Sequence, residues 1–125
     1  MSGATLDTSA LIALEAGNRR MAALIEEAIA GHVTLAIPAA ALAQAARGGG
    51  GQARLARLLR SPVASVVDLD QRTAMRVAER CGATGTSDVV GMSVALCARD
   101  HDHAVITTDP DNLRTIDPSL SLLIP

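Results

Sequence analysis

The stretch TSDVVGMSVALCARDHDHAVITTDPDNL, Thr86–Leu113, decides the fold. Asp88 opens an apolar segment of small residues, Val90–Ala98, long enough for a helix. A polar turn follows at Arg99–His103, then a short buried-strand run, Ala104–Thr107, that leads to Asp109. One carboxylate thus stands at a helix start and another at the C-terminal end of a strand, the edge of an open α/β sheet where ligands bind. The N-terminal end of the chain matches it, because Ala4–Leu6 runs directly into Asp7. Two strands ending on aspartate, in a chain without lysine, point to a metal site over a phosphate grip.

Around this stretch, strands alternate with helices. Asp7, Thr8 and Ser9 suit the cap of a helix over Thr8–Ala16. Arg19–Ala30 predicts an amphipathic helix with Met21, Leu24, Ile25 and Ile29 inward, Glu26 and Glu27 outward, and Gly31 as its C-cap. Val33–Ile37 reads as a strand, and Pro38 suits the first turn of a helix that runs over Ala39–Arg47 until Gly48–Gly51 stops it. Gln52–Arg60 is a short basic helix with Leu55, Leu58 and Leu59 inward. A strand at Ala64–Val67 and a helix at Asp70–Cys81 follow, the helix with Ala74, Val77, Ala78 and Cys81 inside. Asp117-Pro118 turns the chain into a last strand, Leu120–Ile124. The alternation predicts a parallel sheet covered on both faces.

A length of 125 residues fits one domain, and 49% hydrophobic against 19% charged residues argues for a globular chain. No aromatic residue is present, so stacking of bases on rings is excluded within this chain. All 11 basic residues are arginine, and with a net charge of −2 any nucleic-acid contact needs a local arginine patch. Cys81 and Cys97 have no ligand spacing and imply no disulfide framework. No leader pattern and no apolar run of membrane-spanning length is visible, so a cytoplasmic protein is expected.

The blocks LDTSALIAL (Leu6–Leu14), IPAAALAQAARGG (Ile37–Gly49) and SDVVGMSVALCA with AVITTDPDNL together resemble a PIN domain. More narrowly, they are similar to the small PIN-domain ribonucleases that act as VapC-type toxins in toxin–antitoxin pairs. The resemblance spans nearly the whole chain. It implies a single PIN-like domain over residues 1–125, a three-layer α/β/α sandwich with a five-stranded parallel sheet whose middle strand is the first. It also implies Mg²⁺- or Mn²⁺-dependent endoribonuclease activity, a homodimer, and a small antitoxin whose tail covers the pocket. Hard cations take oxygen ligands, activate water and offset charge on phosphoryl oxygens.

Asp7 matches the family's first acid, and Asp109, in the T-x-D pattern of Thr107–Asp109, its last. Two positions depart from the pattern. The glutamate usual six residues after the proline is Gln44, and the acid usual eighteen residues before the last aspartate is Gly91. Asp88 lies one helical turn before Gly91 and would stand in. The expected catalytic and metal-ligating set is therefore Asp7, Asp88 and Asp109, with one ion and not a tight pair. Ser9, Gln44, Thr107 and, at the rim, Asp111 are the supporting residues. Arg47, Arg54 and Arg57 are candidates for contact with RNA.

Each of these residues also has a plainer use. Asp7 and Asp88 suit helix caps, Asp109 suits a turn, Asp111 suits a turn or a helix start, and the arginines of the basic helix suit a solvated face. His32, His101 and His103 are expected at the surface. A response-regulator receiver would need a lysine, and a haloacid-dehalogenase-like phosphatase would need an aspartate where Ser9 stands. The remaining rival is a PIN fold that no longer cuts and binds RNA or a protein partner through a depleted pocket.

Overall fold

The structure, a computed structural model, describes residues 3–48 and 52–125. Its element order is β1 (Gly3–Leu6), α1 (Thr8–Glu15), α2 (Arg19–Ala30), β2 (Thr34–Pro38), α3 (Ala39–Ala46), α4 (Ala53–Leu59), β3 (Ala64–Val67), α5 (Gln71–Thr84), α6 (Val89–His101), β4 (Ala104–Ile106), α7 (Pro110–Ile116) and β5 (Leu122–Leu123). The five strands pair in parallel in the order β3-β2-β1-β4-β5. The first strand is the middle one, as the resemblance implies.

That order explains the burial pattern. β1 is flanked on both edges and covered on both faces, so all four of its residues are buried; β4 is buried throughout as well. β3, at the sheet edge, leaves Ser65 and Val66 exposed. From β1 the chain steps outward through β2 to β3, then crosses back to β4 and steps outward to β5 on the other side. Right-handed crossovers place the connections of the two halves on opposite faces of the sheet. α1 packs against α2, α3 and α4, whereas α6 packs against α5 and α7 and lies on β1, β2 and β4; α3 also packs against α6 and so joins the two groups.

Several helix details differ from the sequence expectation. α6 begins at Val89 and continues to His101, because the polar residues read as a turn lie on its last, solvent-facing turn. Asp102, in the left-handed region at φ 54°, ends it. α7 is an additional helix: the Asp109-Pro110 pair read as a turn supplies its N-cap and its first residue. Gly31 closes α2 at φ −88°, and the left-handed residue is the next one, His32. The inward stripe of α2 runs through Met21, Ile25 and Ala28, which leaves Ile29 partly exposed; Leu59 is similarly exposed on α4. On α5 only Val77 and Cys81 are buried, so Ala74 and Ala78 face outward. Gly85 caps this helix at φ 73°, where a Cβ would be strained. The expected glycine loop falls partly on residues 49–51, outside the described residues.

Arg76 of α5 and Asp100 of α6 form a two-pronged ion pair at 2.7 and 2.9 Å across the helix pair. Both side chains are well exposed, so the pair contributes at most about 1 kcal/mol. Among the described residues no helix is long and apolar enough to cross a membrane.

His103 corrects the expectation of three surface histidines. It is half-buried, its Nδ1 lies 3.1 Å from Thr5 Oγ1, and its ring stacks on His101 with centroids 5.2 Å apart. Burial pushes its pKa down and the neighbouring His101 adds to this, against the opposing pull of Asp102. The folded state therefore binds this proton less well than the unfolded chain. Its contribution to stability is complete above the unfolded value of about 6.5 and is lost as pH falls through the lower folded value. His103→Gln is expected to flatten the decline in thermal midpoint between about pH 7.5 and pH 5. Parallel profiles for the two proteins would refute the assignment.

Candidate active site

The strand order reverses between β1 and β4, and the crevice beyond the carboxyl ends of these two strands is the switch point of the sheet. Asp7 follows β1 directly. Thr107, Thr108 and Asp109 follow β4. A cleft of about 220 Å³ opens here, with Asp7, Ser9, Gln44, Asp88, Asp109 and Asn112 among its polar lining and Ile12, Val94 and Leu113 among its apolar wall.

Asp7 is buried, 7% exposed, and serves two elements at once. As N-cap of α1 it accepts the Ala10 amide on Oδ1 at 2.9 Å. The Ser9 hydroxyl donates to the same oxygen at 2.7 Å, and the Thr107 hydroxyl donates to Oδ2 at 2.6 Å. Both hydroxyls are themselves fixed by amides after β4. Ser9 Oγ accepts from Thr108 N at 2.9 Å and Thr107 Oγ1 from Asp109 N at 2.9 Å. Ser9 and Thr107 lie 3.2 Å apart, but each has committed its proton to Asp7. The pattern stitches the ends of two neighbouring strands through one carboxylate. With two donors on Oδ1 and one on Oδ2, Asp7 keeps a single lone-pair direction for a ligand.

Asp88 caps α6 and is half-buried. Its Oδ1 accepts the Gly91 amide at 2.9 Å and its Oδ2 accepts Asn112 Nδ2 at 3.0 Å, so each oxygen keeps one free direction. Asp109 is exposed at the cleft and its carboxylate caps nothing. Gln44 reaches the cleft from α3. Thr8 Oγ1, in the cleft wall, is buried with no hydrogen-bond partner among the described residues.

The structure thus gathers Asp7, Ser9, Gln44, Asp88 and Asp109 around one cleft, with Thr107 directly behind it. Asp111 does not line it; its side chain is almost fully exposed and pairs with Arg114 at 3.3 Å. Arg47, Arg54 and Arg57 do not line it either. Arg54 donates to the Glu15 carbonyl at 3.2 Å at the far end of α1, and with Arg57 it borders a separate apolar groove beside Leu14, Ile25 and Leu58. Asn112 is the cleft residue missing from the sequence reading. Its signal was Asp109-Pro110: a helix starting there puts Asn112 one turn after Asp109.

The donors fit a hard cation. Every polar group lining the cleft is an oxygen donor or an amide, three are carboxylates, and no arginine or histidine lines it. The orphaned Thr8 hydroxyl adds one more oxygen to the wall. Among the described residues, however, no three His, Cys, Asp or Glu side chains stand close enough to hold one ion together. The three acids share a cleft without forming one three-carboxylate coordination sphere among the described residues. This suits an ion that keeps much of its water and takes one or two carboxylates.

Solved structures share the fold, among them three that align over nearly the whole chain. One, of VapBC2 from Rickettsia felis bound to a DNA fragment from its promoter, aligns over 96% of both chains with a TM-score of 0.70 at 17% identity. PAE2754 from Pyrobaculum aerophilum aligns over 96% of this chain and 82% of its own, with a TM-score of 0.63 at 20% identity. FitAB bound to an IR36 DNA fragment aligns over 97% and 94%, with a TM-score of 0.65 at 17% identity. At such identities the likeness concerns the fold. No curated protein matches by sequence. The family model of the PIN domain matches residues 4–117, a span that takes in the switch point and all three cleft acids, and the chain belongs to that family.

Proposed function

We propose that this protein is a divalent-metal-dependent endoribonuclease of PIN type, the toxin of a type II toxin–antitoxin pair. The observation that carries the reading is the oxygen-lined cleft at the switch point, bordered by Asp7, Asp88 and Asp109 and by no cationic side chain. PIN domains are generally nucleases, and two of the solved structures of this fold are VapBC2 and FitAB complexes. In this reading Asp7 and Asp109 bind one Mg²⁺ or Mn²⁺, and Asp88 binds through water. The ion supplies Lewis-acid stabilisation of charge on the phosphoryl oxygens.

The chain's own groups do the rest. Ser9 and Thr107 hold the Asp7 carboxylate in one rotamer, so its free lone pair keeps a fixed direction. Gln44 offers an amide oxygen without charge where a glutamate would bring one. The apolar wall of Ile12, Val94 and Leu113 lowers the local dielectric beside the acids. A cognate antitoxin with an arginine reaching these acids would complement the cleft, and the protein would work as a cytoplasmic homodimer.

Calorimetric titration with Mn²⁺ or Mg²⁺, with RNA cleavage followed alongside, tests this. Wild type is expected to bind one ion and to cleave only when the metal is present. Gln44→Glu, which adds a carboxylate at the cleft, is expected to bind the ion about tenfold more tightly. No heat of binding and no cleavage would leave the second reading, an RNA- or protein-binding module. That alternative is favoured by Gln44, by Gly91 and by the lack of a three-acid cluster among the described residues.

A further inference from the structure

Among the described residues, three helices are capped by an aspartate whose carboxylate accepts the amide three residues on: Asp7 on α1, Asp70 on α5 and Asp88 on α6. Two of them look alike. Asp7 and Asp70 have extended backbones, ψ 178° and 179°, and the residues three further on, Ala10 and Thr73, carry side chains without difficulty. Asp88 differs. Its ψ is 82°, and the residue three further on is Gly91. A Cβ at position 91 would fall on Asp88 Oδ2 and on Ile116 Cδ1.

Capping alone therefore does not require glycine here, and alanine is the better helix former. What requires it is the way the Asp88 carboxylate is folded back over the first turn of α6, into the space a side chain at 91 would fill. Asn112 then reaches across from α7 and fastens Oδ2 at 3.0 Å, whereas the Asp70 carboxylate is held from within its own helix, by the amide and side chain of Thr73. We propose that Gly91 and Asn112 are positioning residues that seat Asp88 as the third carboxylate of the cleft, in the place of an acid at position 91. This rests on the metal-dependent reading of the site. It accounts for the glycine as leaving the space into which the Asp88 carboxylate folds.

The test measures Mn²⁺ binding by the loss of the free-ion paramagnetic resonance signal, together with hydrogen exchange of the Gly91 amide in metal-free protein. Gly91→Ala and Asp88→Asn are expected to weaken Mn²⁺ binding by about tenfold or more. Gly91→Asp, which brings its own carboxylate into that space, retains binding. Adding Ile116→Val to Gly91→Ala removes the other collision and does not restore it. Unchanged affinity in Gly91→Ala, equal loss in Gly91→Asp, or rescue by Ile116→Val would each overturn the proposal while leaving the metal-dependent reading in place. Wild type that binds no Mn²⁺ would instead overturn that reading. The seating of Asp88 is then decided by the metal-free measurement: Asn112→Ala accelerates exchange of the Gly91 amide several-fold, and an unchanged rate would refute it.

Discussion

Asp7→Asn is expected to reduce metal-dependent RNA cleavage by at least about 100-fold, because partners that merely orient a metal ligand already cost 10- to 100-fold when lost. The substitution is the informative one because it nearly preserves the fold. An asparagine carbonyl can still accept from the Ala10 amide and the Ser9 hydroxyl, the two donors on Oδ1. Its amide nitrogen then faces Thr107 Oγ1, which must turn its proton elsewhere. The thermal midpoint should fall by only a few degrees. Asp7→Ala is a different experiment, since it strips the cap of α1 and takes the acceptor from the Ser9 and Thr107 hydroxyls, at about 1–3 kcal/mol. Cleavage assays and thermal melts on both variants separate the two roles. Near-wild-type cleavage by Asp7→Asn would remove this carboxylate from the chemistry.

Leu11→Ala should be the costliest substitution for stability, by about 2–5 kcal/mol, which is a large part of the 5–15 kcal/mol that domains usually possess. Leu11 is fully buried in the main core. It sits in the middle of α1, the helix that packs on α2, α3 and α4 and begins at Asp7. A cavity there loosens the support of the cleft as well as the core. A fall in thermal midpoint of about 10 °C or more is expected, whereas Leu11→Met, which nearly conserves volume, should cost less than about 1.5 kcal/mol. Denaturant unfolding of both variants decides it; a Leu11→Ala loss below about 1 kcal/mol would mean that the neighbouring helices close the gap.

What the residues disclosed in advance followed from local rules. The strand over Ala64–Val67 and the helix over Arg19–Ala30 were bounded by Pro, Gly and cap residues, and both stand at those bounds. Asp7 and Asp109 were legible because a strand end followed by an acid is a local pattern. α7 is legible only as the helix start that Asp111 allows beside a turn, because seven residues beginning at a proline look like a turn until their apolar members, Leu113 and Ile116, are seen to be buried. Asn112 was hidden with it. Asp111, adjacent in sequence to Asn112, was expected at the rim, yet the helix turns it out to Arg114. The three-carboxylate grouping suggested by spacing also meets a limit that spacing cannot express. A shared cleft is set by topology, but a shared ion needs side-chain atoms brought to one point.

The bond from Thr107 to Asp7 joins positions 100 residues apart. During synthesis, Asp7 is made first and its main clasp almost last. At usual elongation rates of about 5–20 residues per second, the chain spends roughly 5–20 s carrying the aspartate without the hydroxyl that orients it. The N-terminal half can pair β1 with β2, but its cleft has only one wall until β4 arrives on the other side. A nascent chain therefore holds only half of the cleft, and a transcript cut short before Thr107 yields a fragment in which Asp7 lacks its partner across the sheet.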